Sequence, residues 1–463
     1  MPEPSSSRPR RALPPAWAAH AERRLPRYTS YPPATGFRAI EPTALAALEA
    51  ELERPRPDER LSAYVHVPFC RRLCWYCGCS TSVFHDYDRV ESYLGWLRRE
   101  VDLWAGRLGE HGGLSHLHFG GGSPNSLSAG DFRKLLQHVR CSLGIGQGAE
   151  VAIELDPTYC TESFAEACGV AGVSRASLGA QTFDPEVQAR INRPQPYEVV
   201  QNAIASLRGA GVLRVNIDLM YGLPGQREES VEQSARQAAE LRPDRIAVFG
   251  YAHVPWLKKH QRMIASNELP DTAARWTQAE VIDETLFAAG YVRIGMDHYA
   301  WPNDPLAVAA STGALRRNFQ GYTDDGASTL LPLGPSAIGQ VVTGMVQNAP
   351  ALRRWREAVS KGNLPVQSWL EIGLQDRLRA AVIEQLMCSL NVDVGATALK
   401  FGLAPSTLDE GLAAARRLSE NGLCKVFARR VVVPEGARRL VRVVAACFDG
   451  ALEAAAPRFS PAI

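Results

Sequence analysis

Cys70, Cys74 and Cys77 stand in the run His66-Val67-Pro68-Phe69-Cys70-Arg71-Arg72-Leu73-Cys74-Trp75-Tyr76-Cys77, and Cys79 follows two residues later. The first three thiols have C-x3-C-x2-C spacing. Three thiolates can hold three irons of a four-iron, four-sulfur cluster and leave the fourth iron open to a ligand, whereas a cluster with four Cys ligands usually only passes electrons. Zinc is the competing reading. A structural zinc site closes a tetrahedron from two Cys pairs, or from Cys and His, and His66 or His85 could supply a fourth ligand. A disulfide is disfavoured, because ten Cys in 463 residues with no secretory signal is ordinary usage for a reduced compartment.

Other residues with chemical potential recur at regular stations. They are Gly120-Gly121-Gly122-Ser123-Pro124, Glu154 with Asp156, Gln181, Asp218 ahead of Tyr221-Gly222-Leu223-Pro224-Gly225, and Tyr251-Ala252-His253. Each follows a short apolar or β-branched run. Those runs, at 62–67, 114–119, 151–155, 175–179, 212–219 and 245–249, with another at 291–295, predict strands. Amphipathic stretches at 90–108, 131–141, 197–210, 230–241 and 273–289 predict helices between them, with Gly211 and Gly290 as C-caps. Repeated βα units argue a parallel sheet covered by helices, and six or seven of them favour a barrel or open barrel. Such a fold places its chemistry at the C-terminal ends of the strands. A glycine triplet alone is more often a turn than a ligand loop; one polar feature per strand end, in order, points to a ring around one cavity.

Three units are expected: a leading segment 1–58, a barrel 59–340 and a mostly helical part 341–463. The last carries predicted helices at 374–386, 407–421 and 437–454, and a hairpin at 423–427 and 431–433, a layout resembling a winged helix. Arg429, Arg430, Arg438 and Arg439 there read as a solvated face, and a lid or cap over the barrel is the expected role. The chain is 46% hydrophobic with net charge +2, which gives no reason to expect nucleic acid or an anionic membrane as partner. No apolar run reaches the roughly 18 residues needed to span a bilayer. The start, 1–24, is rich in Pro, Ala and Arg and is expected to be a loosely attached arm rather than a transit peptide. A soluble, cytoplasmic protein is expected.

The cysteine run resembles the signature of the radical S-adenosylmethionine (SAM) superfamily, in which an aromatic residue, here Tyr76, precedes the third Cys. Within it the chain resembles the oxygen-independent coproporphyrinogen III oxidase (dehydrogenase) family. The resemblance rests on Arg27-Tyr28-Thr29-Ser30-Tyr31-Pro32, the extra Cys79, Gly295-Met296-Asp297-His298, Arg317-Asn318-Phe319-Gln320-Gly321-Tyr322-Thr323, Cys447-Phe448-Asp449 and Arg458-Phe459-Ser460. Haem chaperones on the same scaffold usually lack the arm and the fourth Cys. The chain departs from the family's usual residues at Ser123, Thr182, Gly250 and Tyr299.

The resemblance implies a partial (open) TIM-type (βα)6 barrel of the radical SAM type, α/β in class, with an N-terminal arm and a mostly helical C-terminal domain. It implies a 4Fe-4S cluster on Cys70, Cys74 and Cys77 and two molecules of SAM. Tyr64, Gly121, Glu154 and Ile338 would bind the first SAM, and Tyr76, Gly122, Ser123, Gln181, Arg193, Asp218 and Ala252 the second. Arg193 could pair a SAM carboxylate in bidentate fashion. Reductive cleavage of SAM would give a 5′-deoxyadenosyl radical that takes a β-hydrogen from a propionate. Loss of CO2 and one electron would leave a vinyl group, twice, turning coproporphyrinogen III into protoporphyrinogen IX. Tyr64 and Cys79 are the candidate catalytic residues, Arg27, Arg316 and Arg317 the candidate propionate ligands, and Tyr28 and Tyr31 could close over the cavity. A reduced donor such as flavodoxin or ferredoxin would supply electrons, and a monomer is expected. A haem chaperone, or a radical SAM enzyme of another reaction such as methyl transfer or haem breakdown, is the alternative on the same scaffold.

Overall fold

The computed structural model describes residues 12–452 and 459–463. Six parallel strands form its centre: β1 (Leu61–Val67), β2 (Leu114–Gly121), β3 (Ile145–Leu155), β4 (Arg175–Gln181), β5 (Arg214–Tyr221) and β6 (Arg245–Gly250). Each pairs in parallel with the next, for example Val65 with Phe119 and Ile217 with Ile246. They are largely buried on both faces, with apolar side chains such as Val65, Phe119, Ile153, Leu178, Ile217 and Ile246 on one face and polar ones such as His66, His118, Ser177, Asn216 and Arg245 on the other. The crossover helices lie at Asp88–Ala105, Ala129–Leu143, Tyr197–Gly209 and Glu228–Glu240, with shorter helices after β3 and β4. At the helix ending at Gly209, the Gly211 N–H donates to Arg208 O and the Val212 N–H to Leu207 O, with Gly211 at φ +92. That left-handed turn is what the predicted C-cap glycine is for.

A seventh parallel strand lies elsewhere than the sequence pattern suggests. Residues 292–294 form the outer strand of a hairpin with His298–Ala300, antiparallel to β6. Three residues cannot make the crossover that a parallel neighbour needs. Leu330–Leu333 is the added parallel strand, beside β1 on the opposite edge. The barrel is therefore open between these two edges.

Ile338–Val341, Gly344–Asn348 and Val366–Glu371 extend that edge antiparallel, and Arg38–Ala39 pairs with the last of them. The sheet thus runs past the boundary expected at residue 340, to Glu371. The helical part then holds Leu374–Ser389, Val394–Lys400 and Asp409–Ser419, with a small sheet of Asn391–Asp393, Arg430–Val432 and Lys425–Phe427. Where a single helix is expected over 437–454, residues 437–452 instead hold a five-residue helix, Val441–Ala445, between 3-10 turns, and 453–454 lie outside the described residues. Every residue of that helix is buried, so it is a core plug rather than an amphipathic surface helix.

The leading segment is not loose where it is described. Pro15–Ala21 is helical, Trp17 packs edge-on against Trp276 at 5.8 Å, and its Nε1 donates to Asn421 O at 2.7 Å. Residues 1–11, and Arg458 of the family-like ending, lie outside the described residues. No helix among the described residues is long and apolar enough to cross a membrane.

Candidate active site

The loop after β1 carries the cysteines, and three elements grip it. From β2, the Gly122 and Ser123 N–H groups donate to Val67 O and Phe69 O, each at 2.8 Å. From the turn after β4, Asn192 Nδ2 donates to Leu73 O (2.9 Å) and Trp75 N–H donates to Ile191 O (3.0 Å). From the segment after β6, Gln261 Nε2, His260 Nε2 and Lys258 Nζ donate to the carbonyls of Tyr76, Cys77 and Cys79 at 2.9, 2.7 and 3.0 Å.

All ten cysteines are free. Among the described residues no group of three or more His, Cys, Asp and Glu side chains is arranged to hold a single metal ion. Cys70, Cys74 and Cys77 instead border one cavity of about 460 Å3. Each of these sulfurs has one donor aimed at it: Thr81 Oγ1 to Cys70 at 3.0 Å, Arg193 Nη1 to Cys74 at 3.4 Å, and the Cys79 N–H to Cys77 at 3.4 Å. Burial pushes the Cys70 thiol up to about 12 and raises that of Cys74, while hydrogen bonding from Cys79 holds Cys77 at about 6. Three clustered thiols, each with a donor suited to thiolate sulfur, fit an iron–sulfur group whose charge offsets theirs.

The expected site residues divide between two adjoining cavities. Tyr76, Gly122, Ser123, Gln181, Arg193, Asp218 and Ala252 line the cysteine cavity. Tyr64 and Ile338 line a second, of about 370 Å3, and Gly121, Glu154 and Cys79 border both.

Glu154 accepts from His118 Nε2 at 2.9 Å and from the Gly121 N–H at 3.2 Å. Burial would raise its carboxyl, but these donors outweigh it and hold the group below the usual range. Asp218 has one donor, Asn216 Nδ2 at 2.8 Å; burial, then the nearby Glu154 charge, push it up to about 6. The glycine triplet has a packing reason as well as a ligand one. A Cβ on Gly120 would stand 2.7 Å from Glu154 Oε2, on Gly121 2.7 Å from His66, and on Gly122 2.6 Å from Phe69 O. Gln181, at φ +68, ends β4 in a conformation that non-glycine residues seldom adopt, and such strain gathers at working sites.

Several expectations are altered. The Arg193 fork is already engaged, Nη1 by Asp156 at 3.1 Å and Nη2 by Gly179 O at 2.8 Å. Only its Nε is buried without a partner, so the bidentate grip meets a salt bridge in place. Of the three candidate propionate ligands, Arg27 alone borders the cysteine cavity, and it donates to Gly250 O at 2.7 Å. Arg317 turns back to Tyr28 O and over the Tyr322 ring, and Arg316 pairs with Glu384; both border a separate cavity of about 480 Å3 with Tyr28 and Tyr31. The two tyrosines fasten the arm to the C-terminal part, through Tyr28 Oη to Asp449 and the Gly450 N–H to Tyr31 Oη, each at 2.9 Å. Missed from sequence were Thr81, His118 and the Lys258–His260–Gln261 clamp, while His66, read as a possible zinc ligand, instead meets Ser80 O through Nε2 at 2.8 Å. For His118 the only signal was a polar residue inside a strand run; Thr81 and the clamp lie in loops and turns, where the sequence carried no such signal.

Three cysteines on the loop after the first strand of an open parallel barrel, facing a ring of strand-end polar groups, define a radical SAM protein. A family model described as the Radical SAM superfamily matches residues 64–238. The oxygen-independent coproporphyrinogen III oxidase of Bradyrhizobium diazoefficiens is 42% identical over 94% of this chain and 96% of its own length. That of Cereibacter sphaeroides is 38% identical over 95% and 96%. The coproporphyrinogen III oxidase of Escherichia coli, described as a radical SAM enzyme, superposes with a TM-score of 0.86 at 34% identity, covering 92% of this chain and 97% of that one. The chain belongs to the oxygen-independent coproporphyrinogen III oxidase family.

Proposed function

We propose that this protein converts two propionate side chains of coproporphyrinogen III into vinyl groups without oxygen, giving protoporphyrinogen IX. The observation that carries this reading is three cysteines, each with a hydrogen-bond donor on its sulfur, opening into one cavity with the strand-end polar groups. Cys70, Cys74 and Cys77 hold the 4Fe-4S cluster. When bound, the cluster and SAM supply the 5′-deoxyadenosyl radical that removes a propionate β-hydrogen.

The remaining work falls to the chain. Tyr64, Gly121, Glu154 and Ile338 receive the first SAM. Tyr76, Gly122, Ser123, Gln181, Arg193, Asp218 and Ala252 receive a second. The two adjoining cavities, each bordered by one complete set, support two molecules rather than one. Glu154, held ionised by His118 and Gly121, suits ribose hydroxyls or an ammonium. Arg27 meets a substrate carboxylate. Cys79 and Tyr64, on the wall between the cavities and inside the second, face the reacting centre. The protein works as a cytoplasmic monomer, in three units whose last begins after Glu371 rather than at 341.

The test is an anaerobic assay of reconstituted protein with SAM, dithionite and coproporphyrinogen III, read by mass spectrometry. Two successive losses of CO2 plus two hydrogens, with 5′-deoxyadenosine formed, are expected. Deoxyadenosine with unchanged porphyrin would overturn the substrate, and haem binding without SAM cleavage would point to the chaperone. Cys74→Ser should abolish the brown cluster; a variant that keeps it and cleaves SAM would sink the ligand assignment.

A further inference from the structure

Residues 254–263, Val-Pro-Trp-Leu-Lys-Lys-His-Gln-Arg-Met, have two faces. The inner face belongs to the active site: Val254 and Gln261 line the cysteine cavity, and Lys258, His260 and Gln261 bond to the carbonyls of Cys79, Cys77 and Tyr76. The outer face has no work in that site. Trp256, Leu257 and Met263 are 47%, 58% and 61% exposed, an apolar grouping on a segment of one short loop. Lys259 and Arg262 are exposed beside them, and the Arg24 guanidinium lies 5.0 Å over the Trp256 ring. No Asp or Glu occurs between Asp244 and Glu268, so the charged residues of the segment itself are all basic. An apolar centre with a rim of one sign of charge is the anatomy of a transient protein interface.

The reaction proposed above consumes electrons at the cysteine loop, and this segment is bonded directly to that loop through the carbonyls of Tyr76, Cys77 and Cys79. We propose that the outer face of 254–263 docks an acidic one-electron carrier protein bearing a flavin or an iron–sulfur group. In the docked pair one electron leaves the carrier, which is oxidised by one, and enters the cluster, which is reduced by one; no bond to the carrier forms. The proposal rests on the radical SAM reading, and the experiment separates the two.

Reconstituted protein is titrated with reduced flavodoxin as probe, over a series of salt concentrations. Three versions are compared: the parent, Lys259→Glu with Arg262→Glu, and Trp256→Ser with Met263→Ser. A fourth, Arg353→Glu with Arg354→Glu, makes the same charge change on an exposed helix elsewhere. The parent should bind with salt-sensitive affinity. The first pair should lower the association rate by about tenfold or more and flatten the salt dependence. The second should weaken binding without changing the salt dependence, and the control should match the parent. Deoxyadenosine formation driven by flavodoxin should fall with binding, while that driven by dithionite stays at the parent level. Binding that is absent in the parent, insensitive to both pairs, or lowered equally by the control overturns the docking surface. If dithionite yields no deoxyadenosine with the parent, the radical SAM reading fails, while the binding curves still decide the surface.

Discussion

Glu154 brings a fixed charge to the wall shared by the two cavities. Its two donors, His118 and the Gly121 N–H, keep it ionised, and replacing it with Gln preserves shape while removing that charge. Hydrogen bonds to charged groups contribute about 1.5–3 kcal/mol, so Glu154→Gln should weaken SAM binding by about 10- to 100-fold. Equilibrium dialysis with SAM measures this, and an unchanged affinity would remove Glu154 from the SAM site. Gly122 makes a second test. A methyl there would meet the Phe69 carbonyl at 2.6 Å, so Gly122→Ala must push the start of the cysteine loop. Its reconstituted cluster should bleach in air faster than the parent's; an identical decay of the visible absorbance would count against this. At this scale the sequence was most legible. Cys, Gly and acidic residues at strand ends declare themselves by type and position. Thr81 and His118 did not, because their partners, Cys70 across the loop and Glu154 on the next strand, are set by the fold and no short spacing shows the pair.

Between the elements, Glu100 is the principal polar tie. It sits on the helix Asp88–Ala105 and accepts from the Gly334 N–H (2.7 Å), Asn348 Nδ2 (2.6 Å) and Trp355 Nε1 (2.9 Å). It thus fastens the helix to the edge strands that carry Ile338. Burial, the largest influence, pushes its carboxyl up to about 8 despite those donors. Glu100→Ala would orphan three buried donors at about 1–3 kcal/mol each, so a loss of about 3 kcal/mol or more is expected. Urea denaturation followed by tryptophan fluorescence would read it; a loss below about 1 kcal/mol would mean that water replaces the carboxylate. Such ties explain which elements were legible. The strands β1 to β6 follow apolar runs that need burial on both faces, and the helices follow amphipathic period. The edge strands after residue 330 are short, and pairing rather than pattern selects them. The 292–294 run looked like a barrel strand because its residue types match one, while its direction is set by the tight turn after it.

Across the molecule, the two ends of the barrel hold opposite chemistry. The cysteine end is open and polar; the other end is closed by buried charge. There Glu150 pairs with Arg175 and Arg214, Arg245 pairs with Asp304, and His116 stands 3.7 Å from Asp324 and 3.2 Å from Asp325. Asp325 also accepts from the Ser62 hydroxyl on β1. The loop bearing both aspartates follows the hairpin Arg316–Asn318 and Gly321–Thr323, whose tip, Phe319 and Gln320, lines the second cavity. The barrel floor therefore anchors part of the active-site wall. Burial opposes charge on His116, but the two carboxylates outweigh it and raise the imidazole to about 9. A raised histidine stabilises the fold fully below its unfolded value of about 6.5, and that stability is lost as pH climbs through about 9. Discounting for partial exposure, the tie is worth about 2 kcal/mol. Against the effect of burial, the arginines around Glu150 hold its carboxyl well below the usual range and Glu150 in turn raises Arg175, so this pair does not titrate in the same window as His116. His116→Gln should therefore be less stable than the parent at pH 6, and the gap should close by pH 10. A gap that is constant with pH would mean that His116 acts by packing alone, and that the floor holds the hairpin without a proton.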